Sequence, residues 1–305
     1  MSSKVAKNSF LKLLALFTVI RGYNIAALVA AMYLTAYFIF DKDATLHQFF
    51  SDIKLHLIVL ASAFTVSAGF IINNFYDLDK DAIARPLYVY ISRFISQNFK
   101  LNVYLVFCVI ALLFAVWASW RVGIFFMIYQ ILVWLYSHKL SRITFIQNLF
   151  YVILSLMPFV ALLLYYNNFS YVIFYHGLFL SMILLIMDIS KDLVSYRADL
   201  IYNYKTLPVT VGKKKTKIIL NILFILSILW TIFMTQVEAV GHMKYYFAAT
   251  AIALLFLSII IWWIENKWQY NLYYLSLKLM LGLGIMSIAW IGINPLNLQK
   301  FFPLN

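Results

Sequence analysis

The sequence predicts an all-α integral membrane protein, a bundle of nine transmembrane helices. Three observations predict it. Of the 305 residues, 65% are hydrophobic and only 11% are charged, a balance that soluble domains of this size do not show. The apolar residues run in long stretches, and a helix needs roughly 20 of them to cross a bilayer. Those stretches lack the strict alternation of membrane β-strands, which leaves helices as the spanning elements.

The spans follow in order at about 14–40, 55–76, 101–119, 122–137, 146–166, 171–190, 217–236, 245–264 and 275–294. The first follows the basic stretch MSSKVAKNSFLK. It is too long for a signal-peptide core and shows no cleavage site, so it reads as a retained span. The fourth is short and meets the third at a tight turn near Trp120–Arg121. The single cysteine, Cys108, sits in an apolar run, so no internal disulfide forms.

A net charge of +13 raises nucleic-acid binding as a possibility, and the distribution argues against it. The bases are scattered through loops between spans, as membrane orientation requires. Nine spans put the termini on opposite sides. With the N-terminal side called inner, Lys42, Lys54, Arg121, Lys244 and Lys300 are the outer bases, and Arg21 and Lys278 lie within spans. All the others are inner, so the inner side and the N-terminus are expected to be cytoplasmic, in a bacterial or archaeal type of plasma (inner) membrane.

The 11 acids are more informative. Asp41, Asp43, Asp52 and Glu238 fall outside, and Glu265 falls in the last inner loop. The remaining six, Asp77, Asp79, Asp81, Asp188, Asp192 and Asp199, cluster where spans two and six emerge. Those exits are an even number of spans apart and so face one compartment. At about 100° per residue, Asn73, Asp77 and Asp81 occupy an arc of about 80°, with Asp79 on the far side. If the sixth helix continues, Asp188, Asp192 and Asp199 fit within about 40°. Each cluster is then an oxygen-rich stripe at the end of an apolar helix.

Carboxylates this close repel. At ~6 Å and an effective dielectric near 20 a pair costs about 3 kcal/mol. Lys80, Lys191 or Arg197 supply local compensation, and a divalent ion does so more strongly. All-oxygen donors favour magnesium over zinc, and magnesium characteristically bridges a few carboxylates to phosphate oxygens. The stripes therefore suggest a metal–diphosphate site, with Asn73, Asp77, Asp81, Asp188, Asp192 and Asp199 as ligands. A lone DxxxD past a helix end is usually a solvated loop; two on one face of a chain so poor in acid weigh the other way. A cation transporter is the competing class, and its carboxylates belong near the bilayer midplane on broken helices. No P-loop, Rossmann glycine pattern or HExxH is present, and the five histidines are scattered.

These residues resemble the UbiA superfamily of membrane prenyltransferases. Its first motif, NxxxDxxxD, reads here as Asn73-NFY-Asp77-LDK-Asp81, followed by AIARP. The second reads DISKDLVSYRAD, Asp188 to Asp199, followed by YKTLPVTVG. It is similar to the variant in enzymes like digeranylgeranylglyceryl phosphate synthase. YSHKLSRITFIQN at 136–148 resembles the family's middle loop, and RGYN at 21–24 its element in span one. The likeness covers nearly the whole chain, 1–305, as a single transmembrane prenyltransferase domain. Asn74 and Ser195 stand where relatives commonly carry aspartate, Ala198 and Gln147 where they carry glycine, and LYVYISR replaces a second basic-proline repeat.

The resemblance implies a nine-helix bundle with a central cavity open to the cytoplasmic side. It also implies magnesium-dependent transfer of a polyprenyl group, geranylgeranyl by preference, from its diphosphate to a lipophilic acceptor. A prenylglyceryl phosphate is the favoured acceptor and an aromatic quinone precursor the alternative. Asp77, Asp81, Asp192 and Asp199 are the expected catalytic residues. Lys139, Arg142, Lys191 and Lys205 are the candidate diphosphate clamp, each otherwise an orientation charge. Arg21, read as lying inside an apolar helix, joins them, because an intramembrane charge usually points into a cavity. Membrane lipid is the remaining expected partner; Lys213, Lys214, Lys215 and Lys217 suit its headgroups.

Overall fold

The computed structural model describes residues 2–41 and 45–291, with side chains from Phe10 onward. Lys42, Asp43, Lys300 and the end of the ninth expected span, 292–294, lie outside the described residues, as do the side chains of Lys4 and Lys7. In chain order the helices are α1 Ser2–Val19, α2 Gly22–Thr35, α3 Leu46–Ser51, α4 Ile53–Tyr76, α5 Leu78–Ala84, α6 Pro86–Ser92 and α7 Gln97–Ala118. They continue as α8 Trp120–His138, α9 Ile146–Tyr166, α10 Tyr171–Ile201, α11 Leu207–Val211, α12 Lys213–Gln236, α13 Lys244–Ile260 and α14 Lys267–Ser287. Among the described residues there is no strand. Nine helical segments there are long and apolar enough to cross a membrane, as the hydropathy pattern predicts.

The eighth and ninth spans begin at Glu238 and Lys267, ahead of the expected 245 and 275, and three other boundaries also depart from the sequence reading. The first apolar run is broken after Val19, so Arg21 is not inside a helix. It takes φ +52, and its carbonyl accepts from the Asn24 N–H at 2.7 Å, opening α2. Gly22 follows it, lying against the exposed Phe17 ring. The fourth span is not short: α8 and a following 3-10 turn at Leu140–Arg142 carry it through Arg142. Its turn from α7 centres on Ser119, whose extended backbone (φ −173) separates the helices and whose Oγ accepts from the Val122 N–H at 3.3 Å. The sixth helix, α10, runs for 31 residues. That is about 46 Å of rise against about 30 Å of hydrocarbon, so helix remains beyond the apolar layer.

The described residues group into two compact units. The first comprises residues up to Val29, Ile53–Phe150 and Ser195–Lys205; the second Ala30–Asp52, Tyr151–Val194 and Thr206 onward. In the first, α4 packs on α7 and α8. Small side chains permit that closeness, as in other membrane bundles: Ala61, Thr65 and Ala68 are buried on α4, and Ala111, Ala115 and Ala118 on α7. A Cβ at Gly69 of α4 would come within 2.9 Å of Val133 on α8. Ala15 and Val19 of α1 pack with Ile71 and Ile95. In the second unit, Phe179, Ile183 and Ile186 of α10, Leu220 and Phe224 of α12, Phe247 and Leu254 of α13, and Tyr273 and Leu277 of α14 share one apolar core.

Candidate active site

The first acidic stripe survives a kink. Asp77 leaves helical geometry (φ −100, ψ 9) between α4 and α5. Yet its N–H donates to the Asn73 carbonyl at 2.9 Å, and the Asp81 N–H donates to the Asp77 carbonyl at 2.8 Å. The i, i+4 spacing therefore carries across, and Asn73, Asp77 and Asp81 stay on one side. Asp77 and Asp81 are buried, Asn73 is half-buried, and Asp79 is exposed on the far side. Pro86 then opens α6 at a position where a missing N–H costs nothing.

The second stripe lies on an unbroken helix. Asp188, Asp192 and Asp199 all fall within α10, and all three are buried, Asp199 completely at 0% exposure. Ser195, one turn before Asp199, donates its hydroxyl to Asp199 Oδ2 at 2.6 Å. In the second unit, Lys191 Nζ donates to Asp188 Oδ1 at 2.8 Å and lies 5.4 Å from the centre of the Tyr151 ring.

Within the first unit the two motifs meet. After α10 the chain reverses through Asn203, which takes φ +55, and the Tyr204 N–H donates back to the Asp199 carbonyl at 2.9 Å. Tyr204 is thereby turned inward, and its hydroxyl donates to Asp77 Oδ1 at 2.7 Å. From the other direction, Lys80 of α5 reaches Asp199, Nζ to Oδ1, at 3.0 Å. Lys80 Nζ also sits 4.1 Å from the centre of the Tyr204 ring, and the Arg142 guanidinium lies 4.9 Å from it. Burial, then the adjacent Asp77 carboxylate, push the Tyr204 phenol above its ordinary range, while Arg142 opposes the shift. The middle loop is tied to the same turn: the Lys205 N–H donates to the Arg142 carbonyl at 3.3 Å, and Thr144 Oγ1 donates to the Lys205 carbonyl at 2.7 Å.

The expected clamp is thus only partly assembled. Arg142 and Lys205 flank Tyr204, with the Lys205 side chain exposed, and Lys139 is exposed. Lys191 sits on Asp188. Arg21 places its guanidinium 4.8 Å from the centre of the Phe70 ring. Arg197, a candidate compensator in the sequence, is exposed, whereas Lys80 and Lys191 do compensate carboxylates.

Behind the first stripe lies a polar chain that sequence periodicity does not disclose. Lys100, at the start of α7, is 1% exposed and donates to Asn74 Oδ1 at 2.9 Å. Asn74 Nδ2 donates in turn to the Tyr88 hydroxyl at 3.1 Å. Burial raises the Tyr88 pKa; Arg21 and Arg85 lower it and Asp81 raises it. In the sequence Asn74 is only a departure from the acidic motif. In place, both ends of its amide are used, the oxygen accepting from Lys100 and the nitrogen donating to Tyr88. Tyr204 likewise escapes sequence reasoning; its only trace there is its position just before KTLP.

The donors offered by the two stripes, an amide and five carboxylates, are all hard oxygens and fit magnesium. Among the described residues, no three acidic, histidine or cysteine side chains converge as a ready-made metal cage.

Three comparisons bear on this arrangement. The model of the UbiA prenyltransferase family matches residues 44–279. Digeranylgeranylglyceryl phosphate synthase of Methanobrevibacter smithii is 30% identical over 188 residues, 58% of this chain. The chain spans 65% of that relative's length. Among solved structures, one of digeranylgeranylglyceryl phosphate synthase superposes with a TM-score of 0.66 at 18% identity, covering 91% of this chain and 97% of that one. A UbiA homologue from Archaeoglobus fulgidus bound to DMAPP and Mg2+ gives 0.67 at 16% identity, with 92% and 99% covered. The apo UbiA homologue from Aeropyrum pernix K1 gives 0.64 at 15% identity, with 86% and 97% covered.

Proposed function

The chain belongs to the UbiA prenyltransferase family, and on that premise we propose that it transfers a polyprenyl group, geranylgeranyl by preference, from its diphosphate to a lipophilic acceptor. The whole chain acts as one catalytic domain in a plasma (inner) membrane, with its N-terminus and site on the cytoplasmic side. Magnesium, when bound, supplies positive charge where the leaving diphosphate develops negative charge. The likeness to a digeranylgeranylglyceryl phosphate synthase supports a prenylglyceryl phosphate as acceptor.

The observation that carries this reading is the closure of one acidic motif on the other through Tyr204–Asp77 and Lys80–Asp199. A chain using its carboxylates only to orient itself in lipid has no need to bury them and bring them together. Asp77, Asp81, Asp192 and Asp199 hold the diphosphate end through metal. Asn73 and Asp188 complete the oxygen donors. Arg142, Lys205, Lys139 and Lys191 present positive charge to the diphosphate. Arg21, at a backbone break near Tyr88, serves the same anionic end of donor or acceptor.

The test is incubation of purified protein with geranylgeranyl diphosphate, magnesium and a panel of acceptors that includes a prenylglyceryl phosphate and an aromatic quinone precursor. Prenylated product and released diphosphate, both lost on chelation, are expected. Cation flux in liposomes without prenyl transfer would instead establish a transporter.

A further inference from the structure

Asp199 is fully buried; one of its oxygens accepts a hydrogen bond, and the other accepts none and meets only an ammonium. Oδ2 accepts from Ser195 at 2.6 Å, and Oδ1 lies 3.0 Å from Lys80 Nζ. Ser195 stands where the second motif commonly carries another acid, so a potential ligand has become a donor that holds Asp199. Lys80 comes from the first motif, within Asp77-Leu78-Asp79-Lys80-Asp81. Its ammonium is held from two directions, by the carboxylate and by the Tyr204 ring 4.1 Å away, and that ring is itself fixed by its hydroxyl on Asp77. The Lys80 side chain is 14% exposed. An ammonium in this place opposes a divalent ion twice over: it occupies a ligand oxygen, and it repels the incoming charge.

We propose that Lys80 is the resident cation of Asp199: it compensates this carboxylate in place of a divalent ion, and it gives the carboxylate up when a diphosphate arrives to accept the ammonium. The inference rests on the diphosphate-dependent reading above. It adds that metal binding at the second motif is weak alone and is strengthened by diphosphate, because the oxygens of the diphosphate offer Lys80 an alternative partner. The competing account gives Lys80 a purely structural role, in which it neutralises a buried acid and never leaves it.

Manganese titration of the full chain in detergent, followed by electron paramagnetic resonance or calorimetry with no prenyl donor present, separates the two. Lys80→Met removes the competitor and is expected to bind manganese about tenfold tighter than the wild type, a buried ion pair being the contact given up. Lys80→Gln, which keeps a donor for Asp199 but no charge, is expected to shift in the same direction and serves if the methionine variant does not fold. Lys80→Arg, with its charge and a second donor retained, should bind no tighter than the wild type. Addition of inorganic diphosphate should tighten manganese binding more in the wild type than in Lys80→Gln. Wild-type or weaker affinity in both neutral variants overturns the proposal, and so does equal tightening by diphosphate. None of these measurements requires turnover, so a wild-type protein that transfers no prenyl group defeats the functional reading while leaving the manganese result to be judged separately.

Discussion

Tyr204 donates its hydroxyl to Asp77 Oδ1 at 2.7 Å across a sequence separation of 127 residues. One hydrogen bond thus joins the segment after the sixth span to the end of the second. Tyr204→Phe keeps the ring that faces Lys80 and Arg142 and removes the hydroxyl, which donates to Asp77 and also meets Arg142. A hydrogen bond to a charged group contributes about 1.5–3 kcal/mol, and a buried acceptor left unsatisfied costs at least as much. The variant is expected to melt earlier in detergent by a corresponding amount and to show a kcat reduced about tenfold. Wild-type stability and rate together would remove Tyr204 from the site.

The same phenol has a pH signature. Its pKa is raised, first by burial and then by Asp77, so the folded state favours the neutral form. Its contribution is fully present below the ordinary tyrosine value of about 10 and is lost as pH rises through the higher folded value. Between those two values the wild type should lose about 1.4 kcal/mol per pH unit relative to Tyr204→Phe. Chemical denaturation of both proteins between pH 8 and pH 11 checks this, since every other tyrosine is common to the pair. Parallel curves would contradict the assignment.

Asp77→Ala and Asp192→Ala test the acidic stripes. Each removes a buried carboxylate proposed to hold the diphosphate end, and loss of such electrostatic stabilisation costs on the order of 10²–10³ in kcat. Prenyl transfer should fall below about 1% of wild type, while size-exclusion profiles in detergent stay monodisperse. If both variants turn over at the wild-type rate, the carboxylates are not the catalytic groups.

What the sequence discloses and what it conceals follow from the range of each interaction. The stripes at Asp77–Asp81 and Asp188–Asp199 are legible because helical periodicity places residues four and seven apart on one side, and the structure keeps both stripes. Tyr204 is not legible, because its direction depends on one left-handed residue, Asn203, in a turn without periodicity. Hydropathy runs on through Arg21 and so places it inside a helix. The break there is a left-handed backbone at Arg21, which no hydropathy window registers. Lys100 has the sequence signature of an inner loop charge. Only its partner Asn74, 26 residues away, shows it to be a buried polar contact.

Helix spacing gives a stability prediction. A Cβ on Gly69 would meet Val133 Cγ1 at 2.9 Å, at the approach of α4 to α8. Val133 has limited freedom to yield, being β-branched. Gly69→Leu is therefore expected to lower stability by about 1–3 kcal/mol through overpacking, seen as an earlier thermal transition. Val133→Ala in the Gly69→Leu background should recover part of the loss, and no recovery would point to a cause other than this contact.

Asn74 and Lys100 should be coupled. Asn74→Asp places a carboxylate where the Lys100 ammonium already lies 2.9 Å from the amide oxygen. Tyr88, which accepts from Asn74 Nδ2, has a hydroxyl that can turn and donate to the new acid. The substitution therefore fills a site already prepared for negative charge, and its melting temperature should match or exceed that of the wild type. In a Lys100→Met background the same change buries an uncompensated carboxylate and should cost about 3–5 kcal/mol. A double-mutant cycle on unfolding free energy reads the interaction directly, and neighbours in one network are expected to couple by up to about 3 kcal/mol. Additive effects would show that Lys100 and the residue at position 74 do not sense each other's charge.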